Sequence, residues 1–177
     1  MAVHIVFETH SISTDNVMGA ATGWLPGRLS MQGRELAAEL GRRRADDGLA
    51  AVFSSDLSRA AETAAIAFGD TLPILLDWRL RECDYGEWNG RLRDQVHGDR
   101  REFLDRPYPA GESWRAAIAR VAGFLKDLPV RWAGTRVLVI GHLATRWALD
   151  EVLAGVPLER SLLEDFAWQP GWEYEVQ

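Results

Sequence analysis

The sequence predicts an α/β fold, a three-layer sandwich with a mostly parallel central sheet. Three observations carry that expectation. Short apolar runs stand at residues 3–8, 50–54, 73–77 and 136–141, the length and composition of buried strands. Between them lie longer stretches with apolar residues at helical spacing, and strands that alternate with helices build a parallel sheet covered on both faces. Hydrophobic residues make up 47% of 177, enough for one core, so residues 1–177 are expected to form a single domain.

Residues 3–8 read as the first buried strand. Residues 9–29 are rich in Ser, Thr, Gly and Asp, with Gly23, Pro26 and Gly27 as breakers, and read as a long loop of the kind that often carries function. Ser30 caps a helix to about Asp47, with Met31, Leu36, Ala37 and Leu40 on one face and Gly48 as its stop. A strand at 50–54 follows, then an alanine-rich helix from an Asp56 cap to about Phe68, then a strand at 73–77. Residues 78–111 are less regular, with a helix expected from about Leu92 to Leu104, before Pro107 and Pro109. Glu112 to Leu128 reads as a strong helix stopped by Pro129. The strand at 136–141 leads into a helix over about 144–154, ended by Gly155. The tail alternates Phe166, Trp168, Trp172 and Tyr174 with polar residues and reads as two short strands joined by Gln169-Pro170-Gly171.

The net charge is −6, which argues against a nucleic-acid partner, since that needs a basic surface. Arg42-Arg43-Arg44 reads as a solvated helix end, where cations suit the helix dipole. Cys83 is the only cysteine, so no internal disulfide can form, and Glu82 and Asp84 beside it disfavour a thiolate. Residues 1–8 lack the basic start and the length of a signal peptide, and no apolar run is long enough for a membrane helix. The expected location is the cytoplasm, with no membrane partner.

The chemistry-bearing residues sit where strands end. Ligands of α/β proteins bind beyond the carboxyl ends of the strands, and His10 closes the first strand while His142 follows Gly141 at a strand-to-helix turn. A nucleophilic imidazole must be neutral on the attacking nitrogen and held by an acceptor on the other, and a strand end supplies backbone carbonyls. The plainer readings are an ordinary strand-end histidine at 10 and a helix cap at 142. Arg59 stands in the first turn of its helix, where the dipole disfavours a cation. An anion in the crevice would account for it, its fork matching phosphate oxygens, and so would pairing with Asp56 or Glu62. Glu82, in Leu80-Arg81-Glu82, is a candidate general acid, with Asp84 and Glu87 as rivals. Trp24, Trp88 and Trp114 are candidates for the mouth of the site, or for ordinary packing.

Taken together, these segments resemble the histidine phosphatase superfamily, the phosphoglycerate mutase-like fold, over nearly the whole chain. The family's opening strand ends Arg-His-Gly and is followed by a Thr and an Asn; here the stretch is Thr9-His10-Ser11-Ile12-Ser13-Thr14-Asp15-Asn16. Its Ser-Pro-Leu-x-Arg-Ala-x-x-Thr-Ala motif is similar to Ser55-Asp56-Leu57-Ser58-Arg59-Ala60-Ala61-Glu62-Thr63-Ala64. Leu80-Arg81-Glu82 through Gly86, Trp88 and Gly90 resembles its Leu-x-Glu segment, Gly111-Glu112-Ser113 its Gly-Glu-Ser, and Gly141-His142 its second histidine.

The resemblance implies a phosphatase for a small phosphorylated metabolite. By that likeness His10 becomes a phosphohistidine; Arg59, His142 and Asn16 bind phosphoryl oxygens; and Glu82 protonates the leaving oxygen, then activates water. No metal or other cofactor is implied, and the short stretch between Glu82 and Gly111 is more like the family's phosphatases than its longer mutases. Three positions depart from the pattern: Thr9 stands for the motif arginine, Ser11 for the glycine, and Leu143 for the glycine after the second histidine. Thr9 and Ser11 still border the phosphate position. Losing one preorganised phosphate donor costs about 2.7–4 kcal/mol, by analogy with oxyanion holes. Arg28 in the 9–29 loop is the expected substitute, with Arg79 and Arg81 as others. The alternative is a catalytically weak or inactive member that binds a phosphate ligand.

Overall fold

Five strands form one sheet. The computed structural model describes residues 1–177, with β1 (Val3–Thr9), β2 (Ala51–Ser54), β3 (Ile74–Leu76), β4 (Arg136–Gly141) and β5 (Trp172–Val176) in the order β3-β2-β4-β1-β5. All neighbours run parallel except β5, which lies antiparallel on β1. The side chains of the central strands alternate between two cores, as the period of a strand requires. Val3, Ile5 and Phe7 with Val137 and Val139 join one cluster, and Val6 with Leu138 and Ile140 joins the other.

Helices cover both faces. The second cluster is completed by Leu40 of α2 (Met31–Arg43) and by Ala60, Ala64 and Phe68 of α3 (Ser58–Phe68). The larger cluster takes Trp114, Ile118, Val121 and Phe124 from one helix, Trp114–Asp127, and Ala144, Trp147 and Leu149 from another, Leu143–Ala154. The expected three layers and mostly parallel sheet are present. The chain after β1 turns to the α2 face and the chain after β4 to the opposite face. The carboxyl ends of these two neighbouring strands therefore open a crevice. No helix is long and apolar enough to cross a membrane.

Several elements differ from the sequence reading. Residues 9–29 contain a short helix, α1 (Thr14–Met18), closed by reciprocal bonds between Ser13 and Asn16. Asp56 is not a cap: Leu57 holds that position, and Asp56 takes two bonds from Arg81 instead. The helix expected over 92–104 breaks into α4 (Arg93–Gly98) and a 3₁₀ turn, Arg100–Phe103. Trp114–Asp127 is α5, followed by α6 (Pro129–Trp132); Leu143–Ala154 is α7, followed by α8 (Leu158–Ser161). The tail forms one strand, β5, because residues 166–168 have no partner strand and remain exposed. Helix α2 stops at Arg43, and Gly48 lies in the turn beyond. The arginine run there is not merely solvated: Arg43 and Arg44 both pair with Glu8, a carboxylate buried on β1.

The chain after β1 is held tightly against the start of α2. Ser30 N–H donates to the Ile12 carbonyl, and Ser11 Oγ donates to the Gly33 carbonyl at 2.7 Å. A Cβ at Gly33 would stand 1.9 Å from the Ile12 oxygen, which is backbone and cannot swing away. Gly33→Ala should therefore destabilise the fold by about 1–3 kcal/mol, the usual range for overpacking. Urea unfolding measures this, and an unchanged midpoint would show that the Ile12 peptide gives way.

Candidate active site

The register of β1 on β4 sets the two histidines side by side. Thr9 lies opposite Gly141, and the His10 N–H continues the ladder to the Gly141 carbonyl at 3.0 Å. The rings of His10 and His142 stand side by side, with centroids 5.0 Å apart and planes tilted by 51°. Arg59 enters between them from the first turn of α3. Its Nε donates to His10 Nε2 and its Nη2 contacts His142 Nδ1, both at 3.3 Å.

Each imidazole has a defined role in this contact set. His10 Nδ1 lies 2.7 Å from the Ser11 carbonyl, so that nitrogen carries the proton and donates it. The Nε2 lone pair is then the unprotonated one, as a nucleophile needs, and it rests on the Arg59 Nε–H. His142 accepts from Arg59 on Nδ1, which leaves the proton on Nε2. That atom is buried and has no hydrogen-bond partner, an orphan that costs about 1–3 kcal/mol until something accepts from it. Burial and the Arg59 charge push the His10 pKa down to about 3, and the same causes hold His142 well below the ordinary imidazole range.

Arg59 is 2% exposed and has no carboxylate partner. Both candidates for a simple ion pair are engaged elsewhere: Asp56 by Arg81 and Glu62 by Arg34, with Glu62 also accepting from Leu29 N–H. Its remaining donors meet the carbonyls of Leu25 at 3.2 Å and Gly23 at 2.9 Å. Burial lowers its pKa from the usual arginine value, opposed by the Glu82 charge.

Glu82 reaches the same corner from the segment after β3. It accepts from Cys83 N–H at 2.8 Å, Ala144 N–H at 3.1 Å and Leu143 N–H at 3.2 Å. Its carboxylate thus sits on the first amides of α7, just past His142. Burial raises its pKa, against the pull of those amides and of Arg59. The rivals stand apart: Asp84 accepts from Gly86 and Asn89, and Glu87 is exposed.

The remaining candidates divide. Ser11 is in place, its N–H donating to Thr63 Oγ1 at 3.0 Å and its hydroxyl to Gly33. Thr9 ends β1, half-buried. Asn16 is not brought in; it is exposed and its side chain caps α1. Arg28 is exposed and its side chain makes no ion pair or hydrogen bond, so the structure does not seat it in the place the motif arginine would take. Arg79 is bound by Asp77 and Asp127, and Arg81 by Asp56. Among the tryptophans, Trp24 belongs to the site through its indole N–H bond to the Glu82 carbonyl at 2.7 Å. Trp114 is core, and Trp88 packs on Phe103 and Tyr108. Cys83 is buried, with its thiol pushed well up by that burial. Sequence reading missed Thr63 and Thr145, whose hydroxyls tie the backbones of Ser11 and His142 to neighbouring segments. Thr63 stood in a quoted motif without a role, and nothing local marked Thr145.

A crevice with a buried cation, a neutral imidazole, an unpartnered buried N–H and a carboxyl of raised pKa offers donors to an anion and a proton beside it. Comparison with known proteins agrees. The histidine phosphatase superfamily (branch 1) profile matches residues 6–167. A 2,3-bisphosphoglycerate-dependent phosphoglycerate mutase of Methylobacterium sp. (strain 4-46) is 36% identical over 88% of this chain and 82% of its own. Phosphoserine phosphatase 1 of Hydrogenobacter thermophilus is 30% identical over 89% and 79%. Among solved structures, Bacillus stearothermophilus YhfR superposes with a TM-score of 0.82 at 26% identity, over 95% of this chain and 88% of that one.

The depressed histidine pKa values carry a pH prediction. Between about 3 and the ordinary value of 6.5, unfolded His10 binds a proton and folded His10 does not, so the site's contribution to stability falls as pH drops through that window. Imidazole NMR resonances of His10 and His142 in the free protein should stay in their neutral form from pH 8 to pH 5. A His10 imidazolium at pH 6 would contradict the assigned environment.

Proposed function

The chain belongs to the histidine phosphatase superfamily, and from that premise we propose that it acts as a single-domain phosphatase on a small phosphomonoester through a phosphohistidine. The observation that carries the reading is the buried Arg59, held between two neutral imidazoles with no carboxylate in direct contact with it. A buried charge must be paired or it costs several kcal/mol, and the phosphoryl group supplies the missing negative charge. Arg59 turns its Nε–H from His10 to a phosphoryl oxygen, His10 Nε2 attacks phosphorus, and the bond from phosphorus to the ester oxygen breaks. The departing oxygen takes the Glu82 proton. Water then attacks the phosphohistidine and gives a proton to the Glu82 carboxylate, releasing phosphate and restoring His10. Arg59 and the His142 Nε2–H are assigned to the phosphoryl oxygens, where charge develops. The Ser11 carbonyl holds the nucleophile's tautomer.

Hydrolysis is favoured over mutase action by the short segment between Glu82 and Gly111, which folds back into the core through Tyr108. A second reading, a weak or inactive phosphate-ligand binder, is favoured by one observation: Thr9 supplies no cation where the motif arginine stands, and no other arginine is seated there.

Trapping of the intermediate and the kinetics of variants test the proposal. Brief incubation with a labelled phosphomonoester should leave acid-labile, base-stable label on the protein, absent in His10→Ala; no label and no turnover would hand the lead to the binding reading. Arg59→Ala should cut kcat/KM by on the order of 1,000-fold, as removal of a preorganised donor does. In a separate set, Glu82→Gln should slow an alkyl phosphate by about 100-fold or more, the usual contribution of a general acid, while an aryl phosphate with a good leaving group is little affected. Thr9→Arg should raise the rate if the open position limits the natural protein, and an unchanged rate would show that Arg59 suffices alone.

A further inference from the structure

The segment that carries Glu82 hangs from one side chain. Arg120, on α5, has a side chain only 8% exposed. Its Nη1 donates to the Arg79 and Arg81 carbonyls at 2.8 and 2.7 Å, and its Nη2 to the Glu82 carbonyl at 2.7 Å. The other two N–H groups go to Glu112, from Nε at 3.2 Å and from Nη2. A guanidinium has five N–H donors, so every one is taken and none is left for a substrate. Glu112 cancels the charge and extends the grip, accepting from Asp84 N–H at 3.0 Å.

We propose that Arg120 is a positioning residue that sets the Glu82 carboxyl for proton transfer. Three of the four carbonyls from residue 79 to residue 82 converge on it, and the fourth, Leu80, accepts from Thr145 Oγ1 at 2.9 Å. With its carbonyl edge drawn toward α5, the segment turns the Glu82 side chain the other way, onto the Leu143 and Ala144 amides. The role needs the planar fork. Lysine offers three donors on one atom and cannot serve three carbonyls and a carboxylate in these directions. A displacement of about 1 Å at such a group is enough to cost on the order of 100-fold in rate.

The kinetic arm of the test rests on the phosphatase reading, and the structural arm does not. In 15N-labelled protein, the Leu143 and Ala144 amide protons report the Glu82 hydrogen bonds, with Glu82→Ala as the reference for their loss. Arg120→Met should move both resonances toward that reference and leave the Ser11 amide, bonded to Thr63, in place. Should Arg120→Met fail to fold, Arg120→Lys gives the same reading. Both amides at their wild-type positions in the folded variant overturn the proposal. Kinetically, the variant should lose about 100-fold on an alkyl phosphate, the scale of a lost general acid. Aryl phosphate turnover and vanadate affinity should stay near wild type, whereas equal losses on both substrates overturn it. If wild type neither turns over nor forms phosphohistidine, the phosphatase reading falls and the amide shifts alone decide the role of Arg120.

Discussion

The charge of Arg59 is the constraint around which the crevice is arranged. An isolated guanidinium taken out of water is expensive, and this one has no carboxylate in direct contact. The protein meets it with dipoles: two imidazole nitrogens and the carbonyls of Gly23 and Leu25. Those carbonyls reach it only because the loop folds inward over the site. Gly23 has φ +54°, and a Cβ there would stand 1.8 Å from Asn89 Oδ1, so no other residue fits without moving Asn89. The same Asn89 oxygen accepts from the Trp24 and Tyr85 amides. Loop, arginine and the start of the 85–89 turn therefore share one solution to one electrostatic demand.

Two buried threonines join that centre to the rest of the fold. Thr63 Oγ1 accepts from Ser11 N–H and donates to the Arg59 carbonyl at 2.7 Å, which couples the residue after His10 to the helix that holds Arg59. Thr145 Oγ1 accepts from His142 N–H at 3.1 Å and donates to Leu80, coupling the second histidine to the strand of chain that carries Glu82. A hydroxyl suits this duty because it donates and accepts through one small atom. Each functional side chain is thus referred, through one hydroxyl, to the backbone of another.

Much of this was legible beforehand. The strands were readable because each is a short apolar run bounded by breakers, and the site because His10, Arg59 and His142 stand at the crevice ends of such elements. What escaped depends on contacts between distant residues. The role of Asp56 hinged on Arg81, 25 positions on, and a cap motif is a local signal that a better partner can override. The tail reads as two strands by alternation, yet only β5 finds a neighbour to pair with. Asn16 fits a motif by spacing, but the Ser13 amide claims its side chain first. Arg120 carries no local mark at all: it lies on the α5 face toward the 79–84 segment, and only the fold shows what it gathers.

The resting place of Glu82 has a consequence for how anions come and go. The Leu143 and Ala144 amides, at the positive end of the α7 dipole, attract any anion. They already hold the Glu82 carboxyl, which is tethered to the same chain. The tether keeps that occupant at a high effective concentration at every moment. A free anion therefore competes poorly for these two amides, and a phosphoryl group is left to Arg59 and the His142 Nε2–H. The end of α7 thus serves as the seat of a tethered acid rather than as an anion site.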